Sequence, residues 1–132
     1  MAAFAPGEML APLRIGPITA GRVEAFAQAS GDRNPIHVDA AAARRAGLEA
    51  APVPGMQLVA FMHEAVSRSR PGVAITALST RFLAPVAVGD SVEISGRIVK
   101  VDAAGAVMRL FLRDGSGALA SVGEATLVPA VP

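Results

Sequence analysis

The sequence predicts an α+β domain in two layers, a long apolar helix covered by an antiparallel sheet. Three observations carry that expectation. Apolar residues recur at helical spacing through the first half of the chain, up to Ser69. After Pro71-Gly72 the pattern changes to strand-like alternation in four runs. Between them, Gly55 to Ser69 carries a wide apolar stripe with no Asp, Glu, Lys or Arg before Glu64, as a helix buried on most of its surface would.

At 132 residues the chain is about one domain, and with 52% hydrophobic against 17% charged residues it can fill a core. Residues 1–132 are expected to form that one domain, with an N-terminal segment at 1–17 and a core at 18–128. The only aromatics are five Phe, and 28 residues are Ala, so the core must be built from small and aliphatic side chains.

The elements follow in order. Phe4 to Pro17 is rich in Pro and Gly and holds at most a short strand around Leu13 to Ile15. Thr19 can cap a helix over Ala20 to Ala29, with Ile18 and Val23 as a hydrophobic staple and Val23, Phe26 and Ala27 on one face. Ser30-Gly31-Asp32 ends it. Asp32 to His37 reads as a loop, because Asn34 before proline favours extended backbone and Pro35 has no N–H to donate. Asp39 can cap a short helix, Ala40 to Ala46, stopped by Gly47. Leu48 to Pro54 is a second loop.

The long helix then runs from Gly55 to near Ser69. Met56, Val59, Ala60, Met62, His63 and Val66 form its expected buried stripe, and Gln57 faces elsewhere. Strands are expected at Val73 to Leu83, Ser91 to Asp102, Ala106 to Arg113 and Ala118 to Val128. Val92, Ile94, Gly96 and Ile98 alternate with Glu93, Ser95, Arg97 and Val99. Asp102-Ala103-Ala104-Gly105 and Asp114-Gly115-Ser116-Gly117 are hairpin connections. A meander of about four strands wrapped on one helix is the hotdog arrangement.

Composition removes several function classes. Twelve basic against eleven acidic residues leave a net charge of +1, with no Trp, no Tyr and no basic block, so neither nucleic acid nor an anionic membrane is an expected partner. The absence of Cys excludes disulfides, thiolate nucleophiles, zinc–thiolate sites and iron–sulfur clusters. His37 and His63 are the only histidines and leave little for a metal site, so no metal or redox cofactor is expected. Met1 to Leu13 has no basic segment followed by a long apolar one, and Ala50 to Met62 is too short and too interrupted to span a bilayer. A cytoplasmic protein is the expectation.

Asp32 and His37 are the residues that can carry chemistry. They lie five apart around Pro35, so a turn places them. A carboxylate and an imidazole converging from one loop can hold a water and move its proton. Either residue can also be structural, Asp as a turn cap and His as a packed side chain. Gly55 opens the long helix, where the first amides have no internal partner and the dipole favours negative charge.

Ser30-Gly31-Asp32-Arg33-Asn34-Pro35-Ile36-His37 resembles the hydratase-2 signature of the MaoC-like, (R)-specific enoyl-CoA hydratase family, G-D-x-N-P-[apolar]-H. Ala51-Pro52-Val53-Pro54-Gly55-Met56 stands where that family has its apolar-His-Gly-Met turn, and Arg81 to Asp90 resembles its F-x-x-P-V-x-x-G-D segment. The resemblance implies a hotdog domain, usually a homodimer, that adds water across the trans-2 double bond of an enoyl thioester or removes it. It implies Asp32 and His37 as the catalytic pair, Asn34 as support for the loop and carboxylate, and the Gly55 amide as donor to the thioester carbonyl. Coenzyme A or an acyl carrier protein would enter only as part of the substrate. One such donor is typically worth about 3–4 kcal/mol, because enolate-like charge develops on that oxygen.

Two residues depart from the family. Pro54 replaces a common His, and His63 stands where a small polar residue is usual, either supporting the site or packed in the core. Met56 and Met62 suit an acyl tunnel or plain core, Arg44-Arg45 a CoA phosphate or a solvated helix end, and Arg81 lies near a strand edge. The alternatives to an (R)-hydratase or 3-hydroxyacyl dehydratase are a hotdog acyl-CoA thioesterase and a half-active or non-catalytic subunit of a heteromeric dehydratase.

Overall fold

The computed structural model describes residues 4–130, so residues 1–3 and 131–132 of the expected domain lie outside the described residues. The elements are β1 (Leu13–Ile15), α1 (Ala20–Ser30), a 3-10 turn (Pro35–His37), α2 (Ala40–Arg45), α3 (Gly55–Ser69), β2 (Val73–Phe82), β3 (Val92–Val101), β4 (Ala106–Asp114) and β5 (Leu119–Pro129). No helix among the described residues is long and apolar enough to cross a membrane.

Local chemistry sets most boundaries. The Thr19 hydroxyl accepts from the Arg22 amide, and both staple residues, Ile18 and Val23, are fully buried. Asp39 caps α2 through the Ala41 amide. Asp102 closes the β3–β4 hairpin by accepting from the Ala104 and Gly105 amides, and Asp114 closes β4–β5 by accepting from Ser116 and Ala118. The hydrogen bond from the Ser116 hydroxyl holds the Asp114 carboxyl below its ordinary pKa.

The five strands form one antiparallel sheet in the order β1-β3-β4-β5-β2. The expected meander is corrected at one point, because β2 pairs with β5 and not with the strand that follows it. The outer edge of β3 is already taken. β1 pairs there, and residues 7–10 run beside it with Gly7 N–H to Ile98 O at 2.8 Å, Ile98 N–H to Glu8 O at 2.8 Å and Leu10 N–H to Gly96 O at 2.9 Å. Residues 83–91 therefore carry the chain from the β2 edge to the other side of the sheet.

One face of the sheet buries Val92, Ile94 and Ile98 of β3, Met108, Leu110 and Leu112 of β4, and Ala125 and Leu127 of β5. Against it lie Leu58, Phe61, Met62, Ala65 and Val66 of α3. The expected α3 stripe is thus out of phase. Met62 and Val66 are buried, but Met56 is 64% exposed, and Ala60 and His63 are exposed with them. Gln57, expected to face away, is 4% exposed. The helix has apolar residues on two faces, and spacing alone cannot say which one meets the sheet.

Candidate active site

Three sequence segments meet around the loop that leads into α3. The first is the loop after α1. Gly31 adopts the left-handed conformation (φ 78°), and its amide closes α1 onto Ala27 O. Three side-chain turns then succeed one another. Ser30 Oγ accepts from Asp32 N–H, Asp32 Oδ1 from Asn34 N–H, and Asn34 Oδ1 from Ile36 N–H, each at 3.2 Å. These bonds occupy one oxygen of Asp32 and leave the other free to face His37. The segment between Asn34 and Val38, expected as loop, is a 3-10 turn that starts at Pro35.

Asp32 Oδ2 and His37 Nε2 stand 3.7 Å apart. That is too long for a direct hydrogen bond and short enough for both to reach one water. The His37 side chain is only 12% exposed and that of Asp32 is 46% exposed. His37 Nδ1 lies 2.8 Å from the carbonyl oxygen of Pro52. A carbonyl can only accept, so Nδ1 carries a proton, and in the neutral ring Nε2 then presents its lone pair toward Asp32.

The second segment is residues 51–56. It is held as a short antiparallel ladder against residues 86–88, with Val53 N–H to Val86 O at 2.7 Å and Val88 N–H to Ala51 O at 2.9 Å around a Pro52–Ala87 bridge. The oxygen that fixes the His37 tautomer is therefore itself fixed by backbone pairing. At the start of α3, the Gln57 and Leu58 amides turn back onto Pro54 O, at 3.0 and 3.3 Å. The Gly55 and Met56 amides have no acceptor among the described residues. A side-chain cap is excluded at Pro54, which leaves both amides for a ligand.

The third segment, residues 81–90, holds the other two. Gly89 N–H donates to Ile18 O and Ile18 N–H to Asp90 O, both at 2.8 Å, which anchors the start of α1. The Phe82 ring lies against Gly55: a Cβ built on Gly55 would stand 2.8 Å from Phe82 Cζ and 3.2 Å from both Cε atoms. α1 is also tied directly to α3, by Gln57 Nε2–H to Arg22 O at 3.4 Å and by the Arg22 guanidinium, 5.3 Å from the centre of the Phe61 ring. A hollow of about 200 Å³ opens beside His37, lined by Glu24, Ala27, Arg33, Asn34, His37 and Val38.

The other expected residues divide. Asn34 meets the Asp32 carboxylate through its backbone amide, while its side chain caps the 3-10 turn. His63, expected on the buried face of α3, is exposed and 3.5 Å from Ser67 Oγ one turn away, so within this chain it neither packs in the core nor touches Asp32 or His37. Arg44 and Arg45 end α2 in solvent. Arg81 points from β2 to the face of the sheet opposite α3, beside Arg109 and Glu124. Sequence reasoning passed over Pro52, whose carbonyl is the partner of His37, Phe82, which packs against Gly55, and Gln57, whose amide reaches Arg22 O of α1. Only Phe82 had a signal, in the F-x-x-P run.

The chain is 35% identical over 112 residues to the (R)-specific enoyl-CoA hydratase of Aeromonas caviae, covering 82% of this chain and 84% of that one. It is 33% identical over 86 residues to a mitochondrial 3-hydroxyacyl-[acyl-carrier-protein] dehydratase of Arabidopsis thaliana, covering 65% of this chain and 51% of that protein, so it spans about half the length of that relative. The solved structure of the A. caviae (R)-hydratase involved in PHA biosynthesis superposes over all of both chains with a TM-score of 0.87 at 29% identity. The family model described as the MaoC like domain matches residues 4–110, and the chain belongs to that family, with its hotdog fold.

Proposed function

We propose that this chain is a hydro-lyase that adds water across the trans-2 double bond of an enoyl thioester, giving the (R)-3-hydroxyacyl thioester, and catalyses the reverse dehydration. The observation that carries the proposal is the Asp32–His37 pair, 3.7 Å apart, with the imidazole tautomer fixed by Pro52 O. The named activities of the A. caviae and Arabidopsis relatives support the same reaction class.

In this mechanism one water sits between Asp32 Oδ2 and His37 Nε2. Nε2 takes one proton as the water oxygen bonds to the β carbon, and Asp32 holds the other O–H in line. The C2=C3 electron pair moves toward the carbonyl, whose oxygen gains negative charge. The Gly55 and Met56 amides at the start of α3 receive that oxygen, an interaction stronger in the transition state than in the bound substrate. The imidazolium, held by the nearby carboxylate and by Nδ1–H to Pro52 O, then returns its proton to the α carbon. Water is consumed, one C–O and one C–H bond form, and His37 is regenerated.

No metal or redox group takes part; coenzyme A or a carrier-protein arm belongs to the substrate. A cytoplasmic location and a homodimer are part of the same proposal. Met56, Phe82 and Leu83 are each at least 50% exposed near the start of α3, Val38 is 53% exposed beside His37, and β2 offers ten residues of unpaired edge. Apolar surface and an open strand edge at one place suit pairing about a two-fold axis. Sedimentation at micromolar concentration is expected to give twice the chain mass of 13.4 kDa, and a monomer alone would contradict the homodimer.

The activity is tested with crotonyl-CoA. Loss of the enoyl absorbance with the thioester intact, and (R)-3-hydroxybutyryl-CoA as product, is the expected result. Free thiol released from an unchanged enoyl group would make the protein a thioesterase instead.

A further inference from the structure

The Gly55 position invites a simple explanation, that a missing side chain lets substrate approach the backbone. The structure fills that space with something else. Phe82 Cζ stands 2.8 Å and both Cε atoms 3.2 Å from the point where a Gly55 Cβ would be, which puts that point over the face of the ring at its Cζ end. We propose that Phe82 is a positioning residue of this site: its ring seats on the first turn of α3, walls one side of the free Gly55 and Met56 amides from water, and is the reason residue 55 must be glycine. The proposal rests on the hydratase reading above and adds a residue to it.

The backbone behind the ring is fixed. Phe82 is the last residue of β2, opposite Ser121, and the next two amides, of Leu83 and Ala84, both donate to Ala120 O, at 2.8 and 3.2 Å. Ala120 and Ser121 are fully buried. The strand end therefore cannot withdraw, and a methyl group on residue 55 has only the ring to push. In the single chain the ring is half exposed and has room to swing outward. Alanine at 55 thus unseats the ring without disturbing the core. A half-exposed ring packed on the first residue of α3 contributes little to folding, but it lowers the local dielectric around the amides there and strengthens what they do to a developing charge.

The test is a double-mutant cycle on crotonyl-CoA hydration, with thermal melts of every variant. Gly55→Ala and Phe82→Ala are each expected to lower kcat about ten-fold or more, with KM within three-fold and melting temperature nearly unchanged. The double variant is expected to be no slower than the slower single one, because both changes remove the same contact. Phe82→Tyr places its hydroxyl in the ring plane and leaves the face over Gly55 unchanged, so it is expected to keep most of the activity that Phe82→Ala loses, with Phe82→Leu between them. Losses that multiply in the double variant would mean that the methyl blocks substrate and not the ring, and would overturn the proposal. Wild-type rates in Phe82→Ala would do the same.

A second readout does not depend on activity. The Gly55 Hα resonances should carry a ring-current shift that disappears in Phe82→Ala. A wild-type protein with that shift but no action on crotonyl-CoA would remove the hydratase reading while leaving the contact in place. Absence of the shift in an active protein would remove only the role of Phe82.

Discussion

Asp32→Asn is expected to lower kcat for crotonyl-CoA hydration by about 10²–10⁴-fold while the protein remains folded, and His37→Ala by a similar factor. The two replacements probe different halves of one device. Asparagine keeps an oxygen for the Asn34 amide, so the turn that shapes the loop survives and only the charge is lost. Alanine at 37 removes the base and leaves Pro52 O without its donor, but that oxygen sits in a ladder held by its own backbone bonds to residues 86–88. Circular dichroism melts should therefore show little change in either variant. Because both groups act on a single water, the double variant should be about as slow as the worse single one and not the product of the two losses. Near-wild-type rates in both single variants would show that the pair does not carry the reaction. A large loss in His37→Ala alone would reduce Asp32 to a turn-forming residue.

Much of this site was legible because its parts are local. The Gly-Asp-x-Asn-Pro-x-His run builds its own geometry from neighbouring bonds: Ser30 to Asp32, Asp32 to Asn34, Asn34 to Ile36. No long-range contact is needed to foresee that Asp32 and His37 meet. The same holds for the Thr19 and Asp39 caps and for the two hairpins closed by Asp102 and Asp114. What was hidden depends on tertiary packing. Pro52 reads as a loop breaker in the sequence; its use is a carbonyl oxygen, which every residue has, and only the fold brings it to His37. Gln57 looked like a surface residue because α3 has apolar side chains on both faces. The choice between those faces is made by the sheet, whose strand order itself was not a pattern along the chain. His63 followed Gln57 into the wrong phase for the same reason.

The phase of α3 can be measured directly. Met62→Ala is expected to destabilise the protein by about 2–5 kcal/mol, the usual range for truncating a large apolar side chain in a closed core. Met62 has no solvent exposure and lies between two strands that are neighbours in the sheet. Its sulfur accepts from the Thr80 hydroxyl of β2 at 3.8 Å and would stand 3.2 Å from a Cβ on Gly123 of β5. Both of these residues belong to paired strands of the sheet, so the cavity left by alanine cannot collapse cheaply. Met56→Ala, six residues earlier on the same helix, removes the same atoms from a side chain that is 64% exposed in the single chain. Its cost in the monomer should be within about 0.5 kcal/mol, as for an ordinary surface position. Urea unfolding of the two variants, followed at several protein concentrations, separates the cases. A Met62 loss independent of concentration fixes the face of α3 that meets the sheet. A Met56 loss that appears only as a weakened dependence on concentration places that residue in the contact between two copies. Equal, concentration-independent losses at both positions would mean that α3 is buried on both faces within one chain, and the apolar surface beside Gly55 would then have to be closed by this chain's own residues.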